Sequence, residues 1–242
     1  QGEALSLDWG SIQALGLDAD LALDWRQGQA PSLRSRAPLT LANLDVGVPV
    51  TEVRMGVETD LEQWRFEKIS AQVLGGEVRA PRLLWPSSQW QPVVLTGIEL
   101  NQLAALQNEA VVSLTGEVGG YIPLRLAPDS VAVRDGRLAN ETPLSLALLP
   151  AAGTQAMAES NRAVSIALEA LNPLRVERFS AEVDMAEDGW LDAAVHIRGT
   201  NPQRNGLPVV FNYTHKENVL ELLRSLRIGE RITDRVMTET RP

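Results

Sequence analysis

Apolar and polar residues alternate with a period of two along most of this chain. Leu5, Leu7 and Trp9 interleave with Ser6 and Asp8, and Leu21, Leu23 and Trp25 interleave with Ala22 and Asp24. Successive side chains of an extended strand point to opposite faces, so each run predicts a half-buried β-strand. The two runs share the pattern Leu-x-Leu-Asp-Trp sixteen residues apart, the length of one repeated two-stranded hairpin. The alternation returns in Ile69, Ala71 and Val73, in Val112 and Leu114, in Ile122, Leu124 and Leu126, and in Val131 and Val133. It continues in Leu144, Leu146 and Leu148, and in Ala193, Val195 and Ile197.

Turn signals punctuate these runs at Gly75-Gly76, Pro86-Ser87-Ser88, Gly119-Gly120, Pro128-Asp129, Asp135-Gly136, Asp188-Gly189 and Asn205-Gly206. Such close spacing suits an antiparallel meander and leaves no room for the crossover helices of a parallel sheet. Three segments depart from the pattern. Asn101 to Asn108, with Leu103 and Leu106, reads as a helical turn or two. Residues 160–171 fit both periods, and their length and alanines favour a helix. Val219, Leu222, Leu223 and Leu226 fall on one helical stripe. Thr214 with Glu217 reads as a capping box that starts this helix at His215, and Gly229 as its stop. Ile232, Val236 and Met237 line a further amphipathic turn with Arg231 and Arg235 outward.

Composition narrows the function more than the fold. The 242 residues carry 22 Lys and Arg against 31 Asp and Glu, a net charge of -9, the wrong sign for a nucleic-acid partner. Residues 203–242 hold 7 basic and 5 acidic groups and so differ from the acidic body. There is no cysteine, hence no disulfide and no thiolate ligand or nucleophile. Apolar stretches such as Leu146 to Leu149 fall far short of the roughly 20 residues that cross a bilayer. The chain begins at Gln1 within a strand-like pattern and shows no targeting signal, which suggests a piece of something longer.

The motifs of hydrolases, nucleotide-binding loops and zinc peptidases are absent, so neither catalysis, metal nor cofactor is expected. His196 alternates to the face opposite Val195 and Ile197 and reads as a surface residue, while His215 reads as part of the helix start. Glu187 and Asp188 invite an acid–base role, but Asp188-Gly189 is an ordinary hairpin dipeptide. Asn140-Glu141-Thr142 and Asn212-Tyr213-Thr214 match the glycosylation triplet, a pattern frequent by chance. The six tryptophans, Trp9, Trp25, Trp64, Trp85, Trp90 and Trp190, allow a sugar-stacking platform, with core or rim packing favoured.

Residues 95–228 resemble the C-terminal region of the YdbH-type AsmA-like proteins, relatives of TamB. The resemblance rests on Leu95-Thr96-Gly97-Ile98-Glu99-Leu100, on Leu114 to Leu124 with Thr115-Gly116-Glu117-Val118-Gly119-Gly120-Tyr121, and on Val131 to Leu138. It continues in Arg198-Gly199-Thr200-Asn201-Pro202 and in Pro208 to Tyr213 leading into Asn218 to Arg227. The resemblance implies a periplasmic bridge between inner and outer membranes, anchored in the inner one. Its fold would be a repeating β-groove, an open trough with an apolar floor for phospholipid acyl chains. This chain would be its outer-membrane-proximal end, and a YnbE-type outer-membrane lipoprotein would add strands there.

The residues predict a mostly β fold built as a long antiparallel meander, the resemblance implies that it curls into an open groove over residues 1–213, and a C-terminal amphipathic helical cap is expected over 214–242. Roughly 15 strands about 4.8 Å apart would give a trough on the order of 70 Å long, with few helices to cover it. The candidate lipid-binding floor is Ile69, Val73, Val112, Leu114, Ile122, Leu124, Leu126, Val131, Val133, Leu144, Leu146, Leu148, Val195 and Ile197. Val209, Phe211 and Tyr213 form the last strand, whose open edge invites a partner strand. Val219, Leu222, Leu223 and Leu226 would lie over the trough mouth. The alternative is a structural or carbohydrate-binding β-sandwich, in which two apolar faces cover each other.

Overall fold

A computed structural model describes residues 2–9, 12–28, 30–46, 48–105, 112–148 and 162–223. Sixteen strands belong to one antiparallel sheet, rather than to the two facing sheets of a sandwich. They are β1 (Gly2–Trp9), β2 (Ile12–Ala19), β3 (Leu21–Asp24), β4 (Ser32–Ser35), β5 (Leu39–Asp45), β6 (Pro49–Thr59), β7 (Trp64–Val73) and β8 (Gly76–Trp85). After these come β9 (Gln91–Glu99), β10 (Val112–Thr115), β11 (Glu117–Leu126), β12 (Val131–Asn140), β13 (Leu144–Leu148), β14 (Leu174–Met185), β15 (Trp190–Asn201) and β16 (Leu207–Asn218). Helix α1 (Leu100–Ala105) follows β9, and α2 (Arg162–Leu171) precedes β14.

Four of the short strands come in pairs that continue one another. β2 and β3 pair with β5 and β4 in nearly the same register, Asp18 opposite Thr40 and Leu21 opposite Ser35. β4 and β5 in turn share one edge of β6. β10 and β11 run along β13 and β12, which together share one edge of β14. Joining β2 with β3, β4 with β5, β10 with β11 and β12 with β13 reduces the 16 strands to 12 lines, each paired with the line before and after it. The fold is a plain meander, and its ends, β1 and β16, each pair with one neighbour among the described residues. The sheet is open, not closed into a barrel.

The interruptions align across the sheet as two creases, and each crease supplies the hydrogen bonds that a broken ladder would lose. At the first, the Arg36 amide donates to the Asp20 carbonyl (2.8 Å) and the Val57 amide to Ser35 Oγ (2.9 Å). At the second, the Leu100 amide donates to the Gly116 carbonyl (3.0 Å) and the Glu141 amide to the Glu117 carbonyl (3.0 Å). Asn140 stands in for a missing backbone unit there: its Nδ2 donates to the Glu177 carbonyl (3.3 Å) and its Oδ1 accepts from the Phe179 amide (2.7 Å).

Three expectations from local sequence are corrected. Gly119-Gly120 and Asp135-Gly136 lie inside β11 and β12, at register shifts, and make no turn. The glycines serve close approach, because a Cβ on Gly120 would collide with the Arg137 carbonyl and Leu138. The helix expected from His215 begins at residue 219, and β16 continues through Asn218. Residues 214–218 pair with Ala194 to Trp190, so strand pairing overrides the Thr214 and Glu217 signal. The cap is Asn218, whose Oδ1 accepts from the Glu221 amide (3.0 Å). Helix α1 covers the first part of the expected Asn101 to Asn108 turn, α2 occupies most of 160–171, and residues 106–108 and 224–242, with Leu226, Ile232, Val236 and Met237, lie outside the described residues.

Candidate apolar groove and last sheet edge

The register carries one apolar row across the sheet from β7 to β16. Ala71 stands opposite Val78, Val78 opposite Leu95, Leu95 opposite Gly120, and Gly120 opposite Leu138. Leu138 stands opposite Ala181, Ala181 opposite Val195, and Val195 opposite Tyr213. The neighbouring row, on the other face, runs Ser70, Arg79, Val94, Tyr121, Arg137, Glu182, Ala194 and Thr214. Directly opposed residues share a face of a sheet. Along these rows one face is apolar throughout, and the other mixes Arg79, Arg137 and Glu182 with Val94, Tyr121 and Ala194.

The expected floor residues separate into two groups on this face. Ile69, Ile122, Leu124, Leu126, Val131 and Val195 are half-buried, and Val133 is buried against the sheet. Val73, Leu114, Leu146 and Ile197 instead pack with Leu144, 4% exposed, against Ile98, Leu100, Val118, Leu174 and Val176. Leu174 is fully buried. This cluster lies where the second crease and α1 and α2 meet, so it forms a closed rim beside the half-buried floor. Val112 and Leu148 are in β10 and β13, but their side chains lie outside the described set. Sequence reasoning missed Phe179, Ala181, Val183 and Met185, although they alternate with Ser180, Glu182 and Asp184. Phe179, Ala181 and Val183 cluster with Val195, Leu138 and Leu191, and Met185 stands opposite Leu191.

At the last edge, β16 matches β15 over twelve consecutive pairs from Asn201 with Leu207 to Trp190 with Asn218, without a register shift. Val209 packs into the rim cluster. Phe211 and Tyr213 are 37% and 48% exposed and stack with ring centroids 6.2 Å apart. Tyr213 hydroxyl meets His215 Nδ1 at 2.9 Å. His196 is exposed on the polar face, hydrogen-bonded to Asn212 Oδ1 (2.9 Å). Beyond the strand, Val219 donates its amide to the Gly189 carbonyl (3.0 Å). Val219 and Leu223 are half-buried, and Leu222 is exposed.

Among the described tryptophans, Trp64 and Trp85 stand directly opposite each other on β7 and β8. Trp64 stacks with Phe66, Trp85 Nε1 donates to the Ala127 carbonyl (3.0 Å), and the guanidinium carbons of Arg125 and Arg134 lie 4.8 and 4.7 Å from the centre of the Trp90 ring. Trp25 and Trp190 are exposed, and the Trp9 side chain lies outside the described set. Among the described residues no group of three or more His, Asp or Glu side chains is placed to hold a metal, and no helix is long and apolar enough to cross a membrane.

An open sheet does not by itself name a family or a function, so the comparison with known sequences decides the family. The family model described as YdbH-like, intermembrane phospholipid transport protein YdbH, matches residues 3–241. The chain belongs to the YdbH-like family. A curated relative, the probable phospholipid transport protein YdbH of Escherichia coli (strain K12), is 28% identical over 229 residues, 91% of this chain and 26% of that protein. The chain thus spans about a quarter of the length of that YdbH relative. No solved structure matches. The family match begins at residue 3, so it takes in β1 to β8, whereas the sequence resemblance rested on residues from Leu95 onward.

Proposed function

We propose that this chain is a section of a non-enzymatic lipid conduit, in which phospholipid acyl chains lie along the apolar face from β7 to β16. The carrying observation is the unbroken apolar row from Ala71 to Tyr213, backed on the other face by a row that carries Arg79, Arg137 and Glu182. Burial of acyl chains at about 25 cal/mol per Å² is nondirectional, so chains slide along such a floor instead of resting in one site. The phospholipid transport named for the Escherichia coli relative supports the same reading. The setting would be the periplasm, within a bridge anchored in the inner membrane, with this section near the outer membrane. A YnbE-type lipoprotein strand would pair with the free edge of β16, extending the floor past Phe211 and Tyr213. The groove body would then be followed by a short cap beginning after Asn218.

The test is a photo-crosslinking residue placed at Ile122, Leu124 or His196 in cells. Lipid adducts at Ile122 and Leu124 with few at His196 are the expected outcome, since the first two share the floor and the third faces away. Equal labelling at all three sites, or none at the floor, would sink the conduit.

A further inference from the structure

The first crease opens a cavity of about 540 Å³ on the polar side of the sheet. Its charged lining is Arg34, Arg36, Arg54 and Lys68 with Glu58 and Glu67. Two of these six are already satisfied within the chain: Glu58 pairs with Arg65 at 2.9 Å, and Arg36 with Asp20 at 3.6 Å. Arg34, Arg54 and Lys68 have no acidic partner among the described residues, leaving three cations facing one free carboxylate in a chain of net charge -9. Like charges gathered in one concavity repel unless an anion joins them.

A bulge in β7 brings Lys68 to the cavity wall. Lys68 has φ +51°, a left-handed conformation that costs a non-glycine residue energy. It is the extra residue of a register shift between Arg54 and Gly56, and it lets Glu67 face Gly56 while Ile69 returns to the floor opposite Ala80. Gly56 lines the cavity without a side chain. A Cβ there would meet only Glu67 and Ser35 at 3.7 to 3.9 Å, ordinary contact distances, so the space is not forced by crowding.

We propose that this cavity binds a phosphoryl group, held by the guanidinium forks of Arg34 and Arg54 and the Lys68 ammonium. Arginine forks match the oxygens of a phosphate in bidentate fashion, and the ammonium adds a point charge. The group is either free orthophosphate or the phosphate of an anionic lipid headgroup at a membrane surface. Because the cavity lies on the polar face, the proposal does not rest on the conduit reading.

The test titrates the 242-residue chain with orthophosphate at constant ionic strength by calorimetry, and floats it with phosphatidylcholine vesicles with or without phosphatidylglycerol. The variants are the double substitution Arg54→Gln with Lys68→Gln, the cavity-filling Gly56→Val, and Arg134→Gln as a basic control far from the crease. Saturable orthophosphate binding, weakened about tenfold or more in the double variant and in Gly56→Val but not in Arg134→Gln, is the expected result. Flotation that requires phosphatidylglycerol and is lost in the same variants assigns the group to a lipid, and orthophosphate binding without flotation assigns it to a small anion. Binding by neither probe, or binding unchanged in both variants, overturns the proposal. Gly56→Val keeps all charges, so it stays decisive if the double variant folds poorly.

Discussion

Gly120 and Gly206 are both glycines, and the sheet uses them for different reasons. A Cβ on Gly120 would press into the backbone of β12, whereas nothing lies within 4 Å of the Cβ position on Gly206, whose φ is +72°. Gly120→Ala is therefore expected to cost about 1–3 kcal/mol through overpacking, and Gly206→Ala roughly 1–2 kcal/mol through its backbone conformation alone. Urea denaturation midpoints of the two variants check the order. Asn201 is a stronger case. It is fully buried, its Nδ2 donates to the Glu169 and Ala170 carbonyls at 3.0 Å each, and its Oδ1 accepts from the Gln203 amide at 2.9 Å. This one side chain ties the end of α2 to the β15–β16 connection, assisted by the Arg204 to Glu169 ion pair. Asn201→Ala is expected to lose about 1–3 kcal/mol, with faster amide exchange in α2 as the distinguishing readout. On the surface, Asp60 accepts from the Gln63 and Glu62 amides at 2.7 and 3.1 Å, which holds its carboxyl below the usual carboxylate range. Its support of the turn is present above the ordinary carboxylate pKa and is lost as pH falls through the lowered value. A carboxyl carbon titration by NMR that gives an ordinary midpoint for Asp60 would contradict this.

At the scale of elements, short strands are not independent units here. β3, β4, β10 and β13 are the far ends of longer lines that bend at a crease, and the polar groups freed at each bend are taken up by Ser35 and Asn140. The second bend brings Leu144 and Leu146 over onto Ile98, Leu100 and Leu174. That is why residues read from the sequence as open floor form a packed rim. The last strand gives a sharp test of where sheet ends and cap begins. Truncation after Asn218 keeps every pair between β15 and β16, whereas truncation after Tyr213 removes the pairs of residues 214–218 with Ala194 to Trp190 and the Lys216 to Asp192 ion pair at 2.7 Å. The first truncation is expected to keep the β-sheet circular dichroism and most of the thermal stability, and the second to lower the midpoint clearly. Equal loss in both would mean that the helix, not the strand, secures this edge.

For the molecule as a whole, the two faces predict two separable behaviours. The apolar face from β7 to β16 is expected to carry phospholipid or detergent through purification, detectable by native mass spectrometry and solvent extraction. Replacing Leu124 and Val195 by Asp should reduce that carriage while leaving orthophosphate binding at the first crease in place. Both residues are half-buried, so part of each introduced carboxylate reaches water and the sheet survives, but a charged floor rejects acyl chains. Retention of the same lipid load by this double variant would argue against the floor as the carrying surface.

The sequence by itself determined the period of two, the antiparallel order and the apolar identity of Ile122, Leu124, Leu126 and Val195, because alternation is a local property that each strand carries alone. It also carried the signal for Phe179 to Met185, which alternate with Ser180, Glu182 and Asp184. Tertiary structure decided the rest. Whether Gly119-Gly120 turns or continues a strand depends on β9 and β12, which pair with it from either side. Whether His215 starts a helix or prolongs a strand depends on an open partner, Ala193, which local capping rules do not see. The basic cavity is further from local reach still: Arg34, Arg54 and Lys68 sit on three different strands or bulges, and only the crease brings them to one space. Pairing energy between distant segments exceeds the fractions of a kcal/mol carried by local turn and cap signals, so where the two conflict the sheet wins.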